Sequence, residues 1–187
     1  MTLSDNAKTL VDYVKHMGTM YRGGNLLGDF SPDSPIRLAD LYEWLVENMV
    51  IFDHGFDKEE TELTLKSNFF MPKVKECYYN SMMFQSETVE YWEGWAVGII
   101  PMPHAWNVRD GKVIDTTWNL FKESDETLYF GICIPREFMR KTLTKQTPFK
   151  PANYSGPFIW DYAMEQVIKE RKLSLEEFET KYWREEE

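Results

Sequence analysis

Between Lys75 and Trp118 the chain reads KECYYNSMMFQSETVEYWEGWAVGIIPMPHAWNVRDGKVIDTTW, with Cys77, then His104, then Asp115. Their types and order suit acyl-transfer chemistry. A thiolate attacks a carbonyl carbon, an imidazole takes and returns the proton, and a carboxylate holds the imidazole in one orientation. Each residue also has a plain structural reading: a buried free cysteine, a histidine bonded at a strand edge, an aspartate capping a turn. Jointly, in separate elements joined by enough chain to meet, they point to chemistry.

The elements that must position them follow from the hydrophobic spacing. Pro72 breaks the chain, and from Val74 onward Cys77, Ser81 and Phe84 follow helical spacing, which puts Cys77 in the first turn of a helix. There the dipole and backbone N–H groups favour a thiolate and can hold an oxyanion. VEYWEGWAVGII then switches to an extended pattern, which Pro101 and Pro103 interrupt. AWNVRDGKVIDTTW reads as a hairpin turning at Asp110-Gly111, which pairs Asn107 with Ile114 and Val108 with Val113. Asp115 then lies across from Trp106, within diagonal reach of His104. LYFGICI, with Cys133, is a further strand.

Helices flank this centre. Ala7, Leu10, Val11, Val14 and Met17 define a first helix capped by Ser4 or Asp5. The glycines at 23, 24 and 28 and the run DFSPDSP form a loop, and Pro35 starts a second helix that ends near His54-Gly55. Asp57 and Glu60 form a capping box for a short third helix. PREFMRKTLTK is helical, TPFKPANYSGP is a loop, Phe158 to Glu170 is a helix, and a final helix starts at Ser174 with Glu177 completing its box. The order predicts one α+β domain over 1–187: a helical cap over 1–56, an α+β core over 70–145 with an antiparallel sheet packed on the Cys-bearing helix, and C-terminal helices over 156–187.

Composition narrows the function classes. The 187 residues carry 43% hydrophobic and 16% aromatic side chains, enough for a packed core. The net charge of −10 repels nucleic-acid phosphates, so no nucleic-acid role is expected. There is no signal-like N-terminus and no apolar run long enough for a membrane span, and two cysteines are too few for a disulfide scaffold. The expectation is a cytoplasmic protein with free thiols and no membrane association.

Other chemistries lack their signatures. No CxxC, HxxxH or HExxH spacing is present, so no metal is expected although Cys77, His104, Asp115 and Glu93 are ligand types. The glycines make no phosphate loop, there is no GxSxG, and no cofactor is expected. His16 and His54 read as structural or solvated. Glu93, mid-strand, needs a bond if it points inward and is a candidate substrate contact. Asn80, one turn after Cys77, is another. Trp92, Trp95, Trp106 and Trp118 read first as core, with Trp106 also kept as a substrate contact.

The three segments ECYYN, PHAWNV and VIDTTW together resemble the core of the transglutaminase-like superfamily of papain-like cysteine enzymes. They are similar also to phage and bacterial proteins with Y-x-E-G, HAW and VxD-TW segments. The resemblance covers roughly Lys75 to Trp118. It implies Cys77 as nucleophile, His104 as general base and Asp115 as orienting acid. The sequence departs from the family at Lys75 and Glu76, where a Gly or Trp usually precedes the cysteine, and at DTT, where D-P-T is commoner. The implied activity is cysteine-dependent hydrolysis or transfer at peptide or amide bonds, as a peptidase, deamidase or transglutaminase-like enzyme acting on a protein or peptide. The alternative is a non-catalytic protein-binding module of the same fold, such as a phage-encoded inhibitor of a host protein. The oligomeric state is not readable from the sequence.

Overall fold

The computed structural model describes residues 4–20, 34–69, 71–98, 100–120, 127–145, 157–174, 176 and 178. The architecture is mixed α+β: a five-stranded, wholly antiparallel sheet with helices packed on it. Its strands are β1 (Val50–Phe52), β2 (Glu90–Val97), β3 (Pro101–Arg109), β4 (Lys112–Ile114) and β5 (Leu128–Cys133), in the order β1-β5-β2-β3-β4.

Side-chain alternation along the three long strands divides the interior into two layers. Tyr91 and Trp95 of β2, Ala105 of β3, and Leu128, Phe130 and Ile132 of β5 pack with the helices α1 (Asp5–Met20), α2 (Leu38–Asn48) and α6 (Ile159–Glu170). The intervening residues make a smaller second layer: Ala96, Trp106, Val108, Val113, Trp118 and Tyr129, with Phe56 beside them. β2 and β5 are buried on both faces, which is why their sequences are apolar almost throughout. His104 lies in register with Gly94 and so belongs to the second layer.

Local chemistry sets most element boundaries. Ser4 Oγ accepts the Ala7 N–H at 3.2 Å and opens α1. Asp57 caps α3 (Lys58–Asn68) by accepting the Glu60 N–H at 2.8 Å. The Glu60 carboxylate does not close the expected box; it pairs with Arg109. Asp110 (φ 52°) and Gly111 (φ 77°) both take positive φ, as a two-residue turn of this hand requires, and the hairpin register is the expected one. Pro135 precedes α5 (Arg136–Lys145), and Cys77–Phe84 forms α4.

Three expectations need correction. The second helix begins at Leu38 rather than at Pro35, because Ser34 Oγ accepts the Ile36 N–H and donates to the Ile36 carbonyl, tying that segment into a turn. The same helix stops at Asn48 and does not reach His54. Val50–Phe52 pairs with β5 instead, since a short β-branched and aromatic run satisfies the open edge of that strand. Finally, Pro101 and Pro103 do not break the chain but lie inside β3. β4 covers only 107–109, and a proline costs little where its missing donor would face an unpaired edge. The expected loops at 23–28 and 147–156 lie outside the described residues, as does most of the final helix. The Phe178 N–H to Ser174 carbonyl bond, at 3.0 Å, is helical in spacing, and Phe178 is buried.

Candidate active site

Cys77 is the first residue of α4, and Glu76 before it makes no side-chain cap, so the helix opens toward the thiol. The lead-in is a tight turn: Lys75 has φ 63°, and the Glu76 N–H donates to the Lys73 carbonyl at 3.3 Å. Asn80, one turn into the helix, fixes that turn. Its Oδ1 accepts the Lys73 N–H at 2.9 Å, and its Nδ2 donates to the Lys73 carbonyl and to Thr117 Oγ1, both at 2.8 Å.

Ser81 lies four residues after Cys77, on the same helix face. Its hydroxyl donates to the carbonyl of Ala105 at 2.9 Å, next to His104. Asn107 Nδ2 returns a bond to the Ser81 carbonyl, also at 2.9 Å, and reaches the Glu90 carbonyl at 3.0 Å. These buried bonds register α4 against β3. The same bonds bring the Cys77 end of α4 alongside His104, near enough for the thiol to raise the proton affinity of the imidazole.

His104 Nε2 and Asp115 Oδ2 are 2.8 Å apart, with side-chain exposures of 4% and 1%. Asp115 also makes the turn-capping bonds that its sequence context suggested. Its Oδ1 accepts the N–H groups of Thr117 at 3.0 Å and Trp118 at 2.8 Å. Its Oδ2 accepts the Tyr129 hydroxyl at 2.8 Å. One carboxylate thus closes a turn with one oxygen and holds the imidazole with the other. The Asp115 backbone N–H reaches Thr61 Oγ1 of α3 at 3.3 Å. That helix is pinned to the hairpin by the Asp57 N–H to Val113 carbonyl bond and the Lys112–Asp57 ion pair.

Aromatic rings shield the pair from water. Trp118 stacks on His104 with centroids 4.6 Å apart and 29° between planes, and Trp106 lies near-parallel at 6.4 Å. Burial works against the imidazolium, but the Asp115 charge and bond, with the Cys77 contact, more than offset it, and His104 is raised to about 9. Burial also disfavours ionised Asp115. The facing imidazolium and the donors from Trp118 and Tyr129 nevertheless hold its carboxyl below the usual range. At neutral pH the ring is therefore an imidazolium against a carboxylate, and since the carboxylate can only accept, Nε2 carries a proton. Nδ1 is the ring nitrogen left for the thiol.

The other expected contacts go elsewhere. Glu93 projects into the first layer, on the sheet face opposite His104. Its oxygens accept the Tyr91 hydroxyl at 2.6 Å, the Phe158 N–H at 2.8 and 2.9 Å, and the Ile159 N–H at 2.8 Å. It holds the start of α6 and offers nothing to a substrate. Burial pushes its carboxyl up to about 7 against the lowering effect of those donors. Asn80 is fully buried with its bonds spent on Lys73 and Thr117, so it braces the site rather than contacting a ligand. Trp106 is fully buried, 5.0 Å from Tyr129, and is core.

Sequence reasoning missed Tyr129 and the paired glycines Gly94 and Gly131. An added Cβ at Gly131 would lie 2.3 Å from Trp106 Cη2, and one at Gly94 would lie 2.2 Å from the Phe130 carbonyl. Gly131 leaves room for the Trp106 ring, and Gly94 lets the β5 backbone approach β2 closely. A glycine in the middle of an apolar strand is the signal that marks such a close approach.

Among the described residues no three His, Cys, Asp or Glu side chains converge to hold a metal ion. None of the described helices is long and apolar enough to cross a membrane. No protein-family model, curated protein or solved structure matches this chain.

Proposed function

We propose that the protein is a cysteine-dependent acyltransferase or hydrolase acting on peptide or amide carbonyls through Cys77, His104 and Asp115. The observation that carries this reading is the buried 2.8 Å bond between His104 and a fully bonded Asp115, beside a helix-opening thiol that acts on the imidazole. The imidazolium stabilises the thiolate, which attacks the carbonyl carbon. In this reading the Cys77 N–H, at the opening of α4, binds the oxyanion. His104 then gives its proton to the leaving amine, and a thioester remains on Cys77. Water or a second amine, deprotonated by His104, attacks that thioester and restores the thiol. This is the chemistry of the transglutaminase-like, papain-like enzymes that the ECYYN, PHAWNV and VIDTTW segments resemble.

Intact-mass spectrometry after exposure to an activated ester tests it. One acyl group should appear on Cys77 and then be lost to water or an added amine. Cys133 should stay largely unmodified, because burial, then the Glu90 charge, push its thiol up to about 11. Cys77→Ser should abolish the adduct and His104→Ala should slow its formation by two orders of magnitude or so. Equal, slow reaction at both cysteines would sink the proposal.

A non-catalytic protein-binding role has one observation in its favour. The segment leading into Cys77 exposes apolar side chains, with Phe69 at 96% and Met71 at 88%. A biological effect that survives both substitutions with the fold intact would select that reading.

A further inference from the structure

Asp115 Oδ2 carries two donors at the same distance: His104 Nε2 at 2.8 Å and the Tyr129 hydroxyl at 2.8 Å. Tyr129 is not adjustable from its backbone. It lies in the middle of β5, in register with Phe52 of β1 on one side and Ala96 of β2 on the other. Its ring is fully buried, with Trp106 at 5.0 Å and Trp118 at 6.2 Å. The phenol is therefore aimed by the sheet rather than by the histidine it competes with. A carboxylate oxygen shared between two donors gives less negative charge to each.

Resting on the acyl-transfer reading above, we infer that Tyr129 is a positioning residue that limits how strongly Asp115 holds His104. Without it, Oδ2 would concentrate on the imidazolium, and His104 would keep its proton more tightly and return it to a leaving group less readily. With it, the ring is oriented but not locked in its charged form. The phenol needs no role of its own in proton transfer: burial and the neighbouring Asp115 charge both hold it in its protonated form. Besides Asp115 and Tyr129, the titratable group that acts on the pair is Cys77, through His104.

The test is the titration of His104 followed by NMR of histidine-labelled protein, with the signal assigned by its loss in His104→Gln. Tyr129→Phe keeps the ring packing and removes only the hydroxyl. The His104 midpoint should rise by about half a unit to one unit. The low-field proton of the His104–Asp115 bond should move further downfield. Biosynthetic replacement of tyrosine by 3-fluorotyrosine makes the phenol a stronger donor, requires no change of backbone, and should move the midpoint the opposite way. A purely structural Tyr129 would change melting temperature and leave both titrations where they were. Unchanged midpoints, or shifts of the same sign in the two proteins, overturn the inference. Opposite shifts in a protein that forms no acyl-Cys77 would sustain the positioning role and reject the acyl-transfer reading. Acylation with unmoved midpoints would do the reverse.

Discussion

Asp115→Asn is the most informative single change, because the two carboxylate oxygens have separate tasks. The asparagine carbonyl oxygen can keep the Thr117 and Trp118 N–H bonds that close the turn. Its NH2 then stands where Oδ2 accepted from His104 and Tyr129. The Tyr129 hydroxyl can rotate to accept, but His104 can accept only by giving up its Nε2 proton, which leaves a neutral ring protonated on Nδ1 alone. That places a donor against the Cys77 thiol, where an acceptor is needed. The lost interaction is a buried, charge-assisted bond, about 2–3 kcal/mol. The sign with pH follows from the shifts. His104 is raised from 6.5 to about 9, so its contribution is complete below 6.5 and vanishes as pH climbs through about 9. Asp115 is lowered, so its contribution is lost in acid as the carboxyl takes a proton. The stability gap between wild type and variant, read by urea unfolding, should therefore be widest near pH 6 and close on both sides. Nitrogen-15 shifts should show a neutral ring protonated on Nδ1 in place of the imidazolium, and acylation of Cys77 should fall by roughly two to four orders of magnitude. A His104 that keeps its proton on Nε2 and still titrates near 9 in the variant would refute the assignment of Asp115 as the group that sets the ring.

Two further changes probe the frame around the site. Glu93 is fully buried and raised from 4.5 to about 7, so the folded state holds its proton more tightly than the unfolded chain does. Stability should then decline as pH rises from 4.5 to 7 by roughly 3 kcal/mol, and Glu93→Gln should flatten that slope in urea titrations at pH 5 and pH 8. Gly131→Ala would push a methyl into Trp106, with its Cβ 2.3 Å from the ring. It should cost about 1–3 kcal/mol and disturb the His104 environment, whereas Gly111→Ala, which meets open space, should cost only its positive-φ strain and leave the His104 NMR signal in place.

Local chemistry was readable from the sequence, and long-range partnership was not. The α4 start at Cys77 follows from the Pro72 break and the helical spacing after it, and the hairpin register follows from Asp110-Gly111 alone. Counting across that turn was enough to bring Asp115 toward His104. Tyr129 escaped because β5 is joined to the site only through the sheet, and nothing in LYFGIC says which strand it will lie beside. Glu93 could be recognised as a buried acid needing partners, but those partners are the backbone N–H groups of Phe158 and Ile159, far along the chain. The α2 end was misjudged because Val50–Phe52 is too short to show alternation, and only the open edge of β5 makes it a strand. Pro101 and Pro103 read as breakers because their tolerance depends on β4 being too short to cover them.

The two faces of the sheet explain how buried polar residues are accommodated. On the first face Glu93 is bonded to Tyr91 and to the N–H groups that open α6, so that face can be sealed by α1, α2 and α6. On the second face the layer is thin and aromatic, and the buried His104–Asp115 pair lies within it. A buried pair of this kind is costly unless every lone pair and proton is met. Here Asp115 accepts four donors, and His104 has Asp115 on one nitrogen, leaving the other for Cys77. The half-buried thiol is thus the member of the chain nearest to solvent, at the opening of a helix that Asn80 and Ser81 hold in register. Replacing a buried ion pair with well-packed apolar side chains of similar volume is often neutral or stabilising, so packing alone does not call for one. A charged pair with its open end at a cysteine is the arrangement the proposed chemistry at that cysteine would use.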